Sequence, residues 1–526
     1  MKKIISLLTI GNLNFNLLLL TLLSIFSFYI NYYYGFKGVN PLDNFTNYNS
    51  GFNFLNDKYP FKNFWTATGP FLGLTQSFFF KIFGINWTSY VIHASFFNSI
   101  IAISLFLFLI NFGVNNILSS IYSILFSVIF YPPVGTPFVD HHSMMFTYLS
   151  FFLIVYSLNE KKNYLFLFLP IFFLFGFFSK QTPIAYFFLL ILPIIIYNFK
   201  RIRIFYSLFL GSLISLFLFV IYIYFTQTSL IDIYYQYFLG TVEVGDYRLK
   251  NSSFSYYDVI FRYRFIYISL ILISYLLIKN KDFNNSFKIS KFEFIYLLLS
   301  LNFTMVFHQL LSMNQAFIYS IIFLNIGLCF KFINYDKKFF NNKIFFLLII
   351  FSIFLTLKYH YKYNEPRRFN DLAYSNKEQN INAGKYFPSL NNLYWYTQHS
   401  NNPKEEIENL KLTYQVLKNE NKKYSLITDY QFLPIELGIY GNSPVKWFHV
   451  NVSFPNIKRT DNKNVQRAFS NFFIKQIKDE GIEKIYFVPP HKTRKDIVIK
   501  LTNKRCKIEE LNIIENFYEE ISINCL

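Results

Sequence analysis

The sequence predicts a polytopic α-helical membrane protein with an exported α/β domain at its C-terminal end. Three observations carry that prediction. Hydrophobic residues make up 53% of the 526, with 70 Phe and 42 Tyr, and only 15% are charged. The charge is unevenly spread: residues 1–360 hold 25 Lys and Arg and 11 Asp and Glu, whereas 361–526 hold 25 and 19. Within the first 360 residues the apolar positions fall into runs that approach the ~20 residues a bilayer-spanning helix needs. Such a chain is not disordered, collagen-like or a disulfide-stapled miniprotein. Its net charge of +20 fits cytoplasmic loops and lipid headgroups, and nucleic acid is not expected as a partner.

About eleven spans are expected, at roughly 4–30, 88–110, 115–131, 142–158, 164–179, 182–198, 204–225, 262–279, 292–311, 314–333 and 344–360. The pair at 164–198 is interrupted by Lys180 and Pro183. Met1-Lys2-Lys3 looks like the basic start of a signal peptide. The run after it is too long, and no small-residue cleavage site follows, so a retained anchor is expected. Basic loops at 159–163, 199–203, 279–291 and 331–343 alternate with short loops free of Lys and Arg at 131–140 and 308–315. The positive-inside rule then places the N-terminus inside and the C-terminus outside. The expected organisation is a membrane body, 1–360, with a first outer loop at about 35–87, and an extracytoplasmic domain, 361–526.

In that last domain, 423–430 and 483–490 read as strands, and 403–419 and 464–481 as helices with charged faces. Cys506 and Cys525 flank a strand-like stretch and are placed to form a structural disulfide if the compartment is oxidising. Cys329 lies in an expected span and reads as a packing residue.

The chemistry-bearing residues collect on the outer side. A first loop of about 50 residues is long for a connector; it carries Asp43 just beyond the first span, and Thr68–Phe83 reads as a helix lying along the membrane surface. Asp140-His141-His142-Ser143 opens the fourth span. Two readings stand for it: a helix cap with interfacial histidines, or polar groups facing a reaction cavity. Asp43, Asp140 and His142 are also the candidates for a divalent metal, the only cofactor considered. Lys180, Arg262, Arg264 and His308 are candidates for binding a lipid phosphate, with snorkelling as the plainer reading of the two arginines. An interfacial carboxylate beside interfacial cations suits a reaction on a lipid-linked phosphate. The acid takes a proton from an acceptor hydroxyl, and the cations stabilise the departing phosphate.

One family shows a similar arrangement. Asp43-Asn44 is followed by Asn56-Asp57-Lys58-Tyr59-Pro60-Phe61-Lys62-Asn63-Phe64, then Gly69-Pro70-Phe71 and Phe83-Gly84. This order resembles the type C glycosyltransferases, in particular the bacterial branch similar to protein O-mannosyltransferases and the lipid A aminoarabinose transferase. The resemblance covers residues 1–200 and fades through the later spans. It implies a polyprenyl-phosphate-linked sugar as donor and a glycan, lipid or protein hydroxyl as acceptor. It also implies an inner-membrane location with the C-terminal domain in the periplasm, and Asp43 as the base. The chain departs from the pattern at Asn44 and Asn63, where acids are common. It also lacks the Trp-Trp-Asp motif of the oligosaccharyltransferase branch, which favours transfer of a single sugar. A polysaccharide polymerase and a non-enzymatic flippase or transporter are the alternatives. A transporter is expected to show internal repeats, and none is convincing here.

Overall fold

The structure, a computed structural model, describes residues 10–525 apart from 253, 313–316, 334–338, 442, 451–452, 455–462, 503–504 and 511–516. The basic start at Met1-Lys2-Lys3 and parts of the loops at 308–315 and 331–343 therefore lie outside the described residues. Helices of nine residues or more are, in chain order, α1 (Ile10–Gly35), α2 (Thr46–Leu55), α3 (Phe71–Phe83), α4 (Trp87–Asn111), α5 (Asn116–Phe130), α6 (Val139–Glu160), α7 (Phe168–Ser179), α8 (Ile184–Asn198) and α9 (Ile202–Thr226). They continue with α10 (Gly240–Asn251), α11 (Arg264–Lys279), α12 (Lys291–Ser312), α13 (Ile321–Cys329), α14 (Phe339–Tyr359), α15 (Pro403–Lys418), α16 (Lys463–Glu480) and α17 (Lys492–Thr502).

Among the described residues, each apolar run read from the sequence falls on a helix. Length separates those helices into two sets. Five segments are long and apolar enough to cross a membrane: Phe15–Gly35, Trp87–Asn111, Ile202–Thr226, Lys291–Ser312 and Lys343–Asn370. Others are shorter. α5 and α8 have 15 residues each, a rise of about 22 Å, against a hydrocarbon core of about 30 Å. The chain is thus a mostly helical protein whose apolar helices suit a membrane.

Two compact units divide it, each built from three stretches of chain. Unit 1 comprises 1–35, 91–218 and 252–369; unit 2 comprises 36–90, 219–251 and 370–526. The C-terminal stretch therefore shares its unit with the first long loop and with 219–251.

Unit 1 is held by apolar packing laced with hydrogen bonds between helices, the means by which helices associate where apolar surface alone gives no preference. Asn31 of α1 donates to Ser95 Oγ (3.0 Å) and to the Gly135 carbonyl (3.2 Å). Asn98 of α4 reaches the carbonyls of Ser27 and Ser127. Asn302 and Asn325 pair across α12 and α13, and Asn325 also donates to Ser269 of α11. Gly35 makes a close approach possible: a Cβ there would lie 2.7 Å from the Gly135 carbonyl oxygen.

Unit 2 contains the four-stranded sheet, made of β1 (Tyr424–Thr428), β2 (Lys484–Val488), β3 (Lys507–Glu510) and β4 (Glu519–Asn524). The spatial order is β1-β2-β4-β3. β1 and β2 run parallel, with Tyr424 opposite Lys484, and the remaining pairs are antiparallel. A parallel pair needs a crossover, and α16 lies in it. Ile427, Phe469, Phe473, Phe487 and Ile521 form the core together with Trp65 from the first loop. A disulfide joins Cys506 to Cys525, tying the start of β3 to the end of β4.

Candidate functional site

α6 begins at Val139, so Asp140 lies in its first turn. The N-cap position is Phe138, and no side chain caps the helix. Asp140 is instead turned to side chains from other elements. Lys180, just past the end of α7, donates to Asp140 Oδ1 at 2.6 Å, and His308 Nε2 of α12 donates to the same oxygen at 2.8 Å. His308 Nδ1 lies 3.1 Å from Thr182 Oγ1. A carboxylate only accepts, so the His308 proton facing Asp140 sits on Nε2. Asp140 and His308 are buried, and Lys180 retains 15% exposure. The second oxygen, Asp140 Oδ2, is buried without a hydrogen bond, as are both amide atoms of neighbouring Gln309. The capping reading of Asp140 is therefore replaced by a buried ion pair bridged to a histidine.

The two histidines after Asp140 face elsewhere. His142 Nε2 meets His93 Nε2 of α4 at 3.2 Å, and His142 Nδ1 meets the Tyr131 hydroxyl at 2.8 Å. Two ring nitrogens at that distance need one donor and one acceptor, so the pair cannot carry both extra protons. His141 Nε2 lies 2.8 Å from the Phe130 carbonyl oxygen. Among the described residues, no group of three or more His, Cys, Asp or Glu is gathered as a metal ion needs.

Arg262 and Arg264 are occupied close to home. Arg262 pairs with Asp258 one turn earlier at 2.8 Å. Arg264 donates to the Phe261 carbonyl and stacks 3.8 Å from the Phe261 ring centroid. Of the sequence candidates in unit 1, Asp140, Lys180 and His308 come together. His142 joins His93, and the two arginines pair locally.

The same unit has an apolar cavity of about 460 Å³. Val306, Phe307 and Leu310 of α12 line it, with Leu190 of α8, and Tyr267 and Leu270 of α11. His308 is thus flanked in sequence by cavity-lining residues.

Asp43 belongs to unit 2. It sits in a short π-helical turn, Pro41–Phe45, opened by Asn40, whose side chain accepts from the Asp43 N–H. Asn44 is buried, and its side-chain oxygen accepts from the Asn40 N–H at 2.8 Å. Asn40 Nδ2 donates to Asp371 Oδ2 at 3.4 Å. Burial raises the Asp371 carboxyl above the usual range. Asp43 itself is half-buried.

Gln309 stands out in the sequence beside His308 as a plausible cavity residue, and the fold buries it there. Two other groups that the fold makes conspicuous were passed over. His93 interrupts an apolar run and was detectable as an ionisable residue in an expected span. Lys446 had no such signal, because it lies in a stretch of ordinary soluble composition. No protein-family model matches the chain, and no curated protein matches it.

Proposed function

We propose that the chain is an integral membrane glycosyltransferase that moves a sugar from a polyprenyl-phosphate donor to a hydroxyl acceptor on the outer face of a bacterial inner membrane. The observation that carries this reading is the buried Asp140–Lys180–His308 cluster in a helical unit that also holds an apolar cavity of about 460 Å³. A charged cluster and an apolar cavity in one unit suit a ligand with a long hydrocarbon tail and an anionic head. In this reading the chain crosses the membrane about eleven times, N-terminus inside and C-terminus outside, with Lys180, Arg262 and Arg264 as the outward cations.

The chemistry is a direct displacement. Asp43 removes the proton of the acceptor hydroxyl, the oxygen forms a bond to the anomeric carbon, and the bond from that carbon to the donor phosphate breaks. The polyprenyl phosphate leaves with the electron pair, and positive charge beside it would stabilise the departing group. A single displacement inverts the anomeric centre. In proteoliposomes supplied with a polyprenyl-phosphate sugar and an acceptor, Asp43→Asn is expected to insert normally and lose at least about 10²-fold in turnover. Full turnover in that variant overturns the assignment. Mass spectrometry of surface glycans, lipids and proteins, with and without the gene, identifies sugar and acceptor.

A transporter or flippase for a lipid-linked sugar is the second reading, favoured by the ionisable side chains buried within the helices of unit 1, since such groups often line transport pathways. The same liposomes separate the two. A flippase moves the lipid-linked sugar between leaflets without consuming it, and Asp43→Asn leaves that movement intact.

A further inference from the structure

Unit 2 carries two helices whose exposed sides are apolar. The first is α3, which forms within the surface helix expected over Thr68–Phe83. It buries Leu72, Gln76, Phe79 and Phe80, while Leu74, Phe78 and Ile82 are 52–61% exposed. The second follows α9. Helical backbone runs on through Leu230–Ile233, a π-helical Tyr234–Leu239 and α10. Ile233, Gln236 and Tyr237 are buried there, whereas Leu230, Tyr234, Phe238 and Val242 are 47–68% exposed. Positions four apart lie on one side of a helix. Each helix therefore presents a continuous apolar stripe turned away from the face it buries.

Exposed apolar stripes of this length mark a contact surface, and the course of the chain says with what. α9 has 25 residues and is apolar enough to cross a membrane. Its last residue, Thr226, stands four positions before Leu230, a reach of at most about 14 Å. A helix tethered that closely to the end of a span starts at the membrane–water boundary, where Tyr is a favoured residue type. Past Val242 the stripe stops, and Asp246, Arg248 and Lys250 take over. The buried side of the same helix is fixed to protein. Gln236 Nε2 donates to the Phe61 carbonyl at 2.8 Å, and Gln236 Oε1 accepts from the Thr66 N–H at 3.1 Å. The Tyr237 ring meets that of Phe61 edge-on. The strap that makes these contacts runs directly into α3 at Phe71, so it ties the two helices together. Lys81 on α3 is exposed, and its stem can lie along lipid while its ammonium reaches water.

We infer that both stripes lie in the lipid interface, so that unit 2 rests on the bilayer along α3 and along the helix that follows α9. The partner is a lipid surface, with acyl carbon against the stripes and headgroups beside Lys81. The inference goes beyond the transferase reading and stands if that reading falls. It also gives residues 370–526 a place. They share a unit with both helices, so packing as well as chain connectivity holds them at the membrane surface.

The test uses the wild-type chain, one copy per nanodisc, in phosphatidylcholine that carries a diazirine on its acyl chain close to the headgroup. After illumination, carbene adducts are mapped by mass spectrometry. Residues 71–83 and 230–242 are each expected to carry at least about tenfold more adduct than 403–418, a helix of the same unit, because interfacial helices sit about 5–10 Å into the acyl boundary. Adduct on either stretch no higher than on 403–418 overturns the inference. A second copy of the chain is the rival occupant. Stretches that stay unlabelled with one copy per disc, yet cross-link between copies when two are loaded, belong to self-association and overturn it too. Depth is checked separately by spin labelling. Cys329 is buried, and Cys506 and Cys525 are bonded to each other, so Phe78→Cys, Phe238→Cys and Leu412→Cys each offer one accessible thiol. Labels at 78 and 238 are expected to be open to oxygen but several-fold better shielded from a nickel chelate than the label at 412, on the exposed side of α15. Equal access of the chelate to all three overturns the inference, and shielding from both reagents places protein over the stripes and overturns it as well. Because photolabelling is read on the wild-type chain, a variant that fails to fold leaves the test intact.

Discussion

Asp140 brings a charge to a place that solvent does not reach, and Lys180 and His308 compensate it there. Breaking such a pair leaves the other charge buried without a partner, which costs about 3–5 kcal/mol, whereas replacing both by apolar groups can be nearly neutral. Asp140→Asn is therefore expected to lower the thermal unfolding midpoint of the detergent-solubilised protein strongly. Adding Lys180→Met to it is expected to recover much of the loss. An unchanged midpoint in Asp140→Asn removes the ion pair from the account of stability. All three residues were legible in the sequence, because ionisable side chains stand out among apolar neighbours. Their convergence was not. Asp140 lies 40 residues from Lys180 and 168 from His308, and no local pattern links positions so far apart. For Arg262 and Arg264 the sequence left a lipid phosphate and snorkelling both open, and the fold supplies Asp258 and Phe261 as immediate partners.

The helices were the most legible elements. Their apolar runs are long, and backbone hydrogen bonds must be satisfied inside each segment wherever water is excluded. What the runs did not reveal is how many helices are long enough to cross. α5 and α8 stop after 15 residues, and α7 ends at Ser179, with Lys180 and Pro183 in the break before α8. Helix contacts depend on small residues that a hydropathy reading treats as neutral. Gly35 is the sharpest case, because the Gly135 carbonyl and Val91 occupy the space that a side chain would need. Gly35→Val is expected to destabilise unit 1 by about 1–3 kcal/mol, read as a lower unfolding midpoint with unchanged helical circular dichroism at low temperature. In unit 2 the strands at 424–428 and 484–488 and helices α15 and α16 matched their sequence patterns closely. Both strands are buried along nearly their whole length, and the two helices each bury one face.

At the scale of the whole molecule, a compositional boundary near residue 360 suggests a membrane body followed by an exported domain, and says nothing of which other segments pack with the last stretch. The fold builds unit 2 from three stretches, with Trp65 packed against Phe469 and Phe472 of α16 and the Trp65 backbone paired to that of Pro444 and Lys446. A fragment of residues 370–526 alone is accordingly expected to be protease-sensitive, because its core lacks Trp65. Co-expression with a segment covering 36–90 is expected to restore some resistance. A fragment that resists protease by itself shows that its core closes without the loop. Composition and periodicity by themselves determined the helical, apolar character of the chain, the places where helices form and the α/β nature of its last stretch. These follow from hydrogen bonding and hydrophobicity within a few turns of chain. Only the tertiary structure decided which ionisable groups meet, that the first loop contributes to the core of unit 2, and that Lys446 is buried beside Thr68. Each of those depends on contacts between residues tens to hundreds of positions apart, and the energy of such contacts leaves no mark on the local sequence.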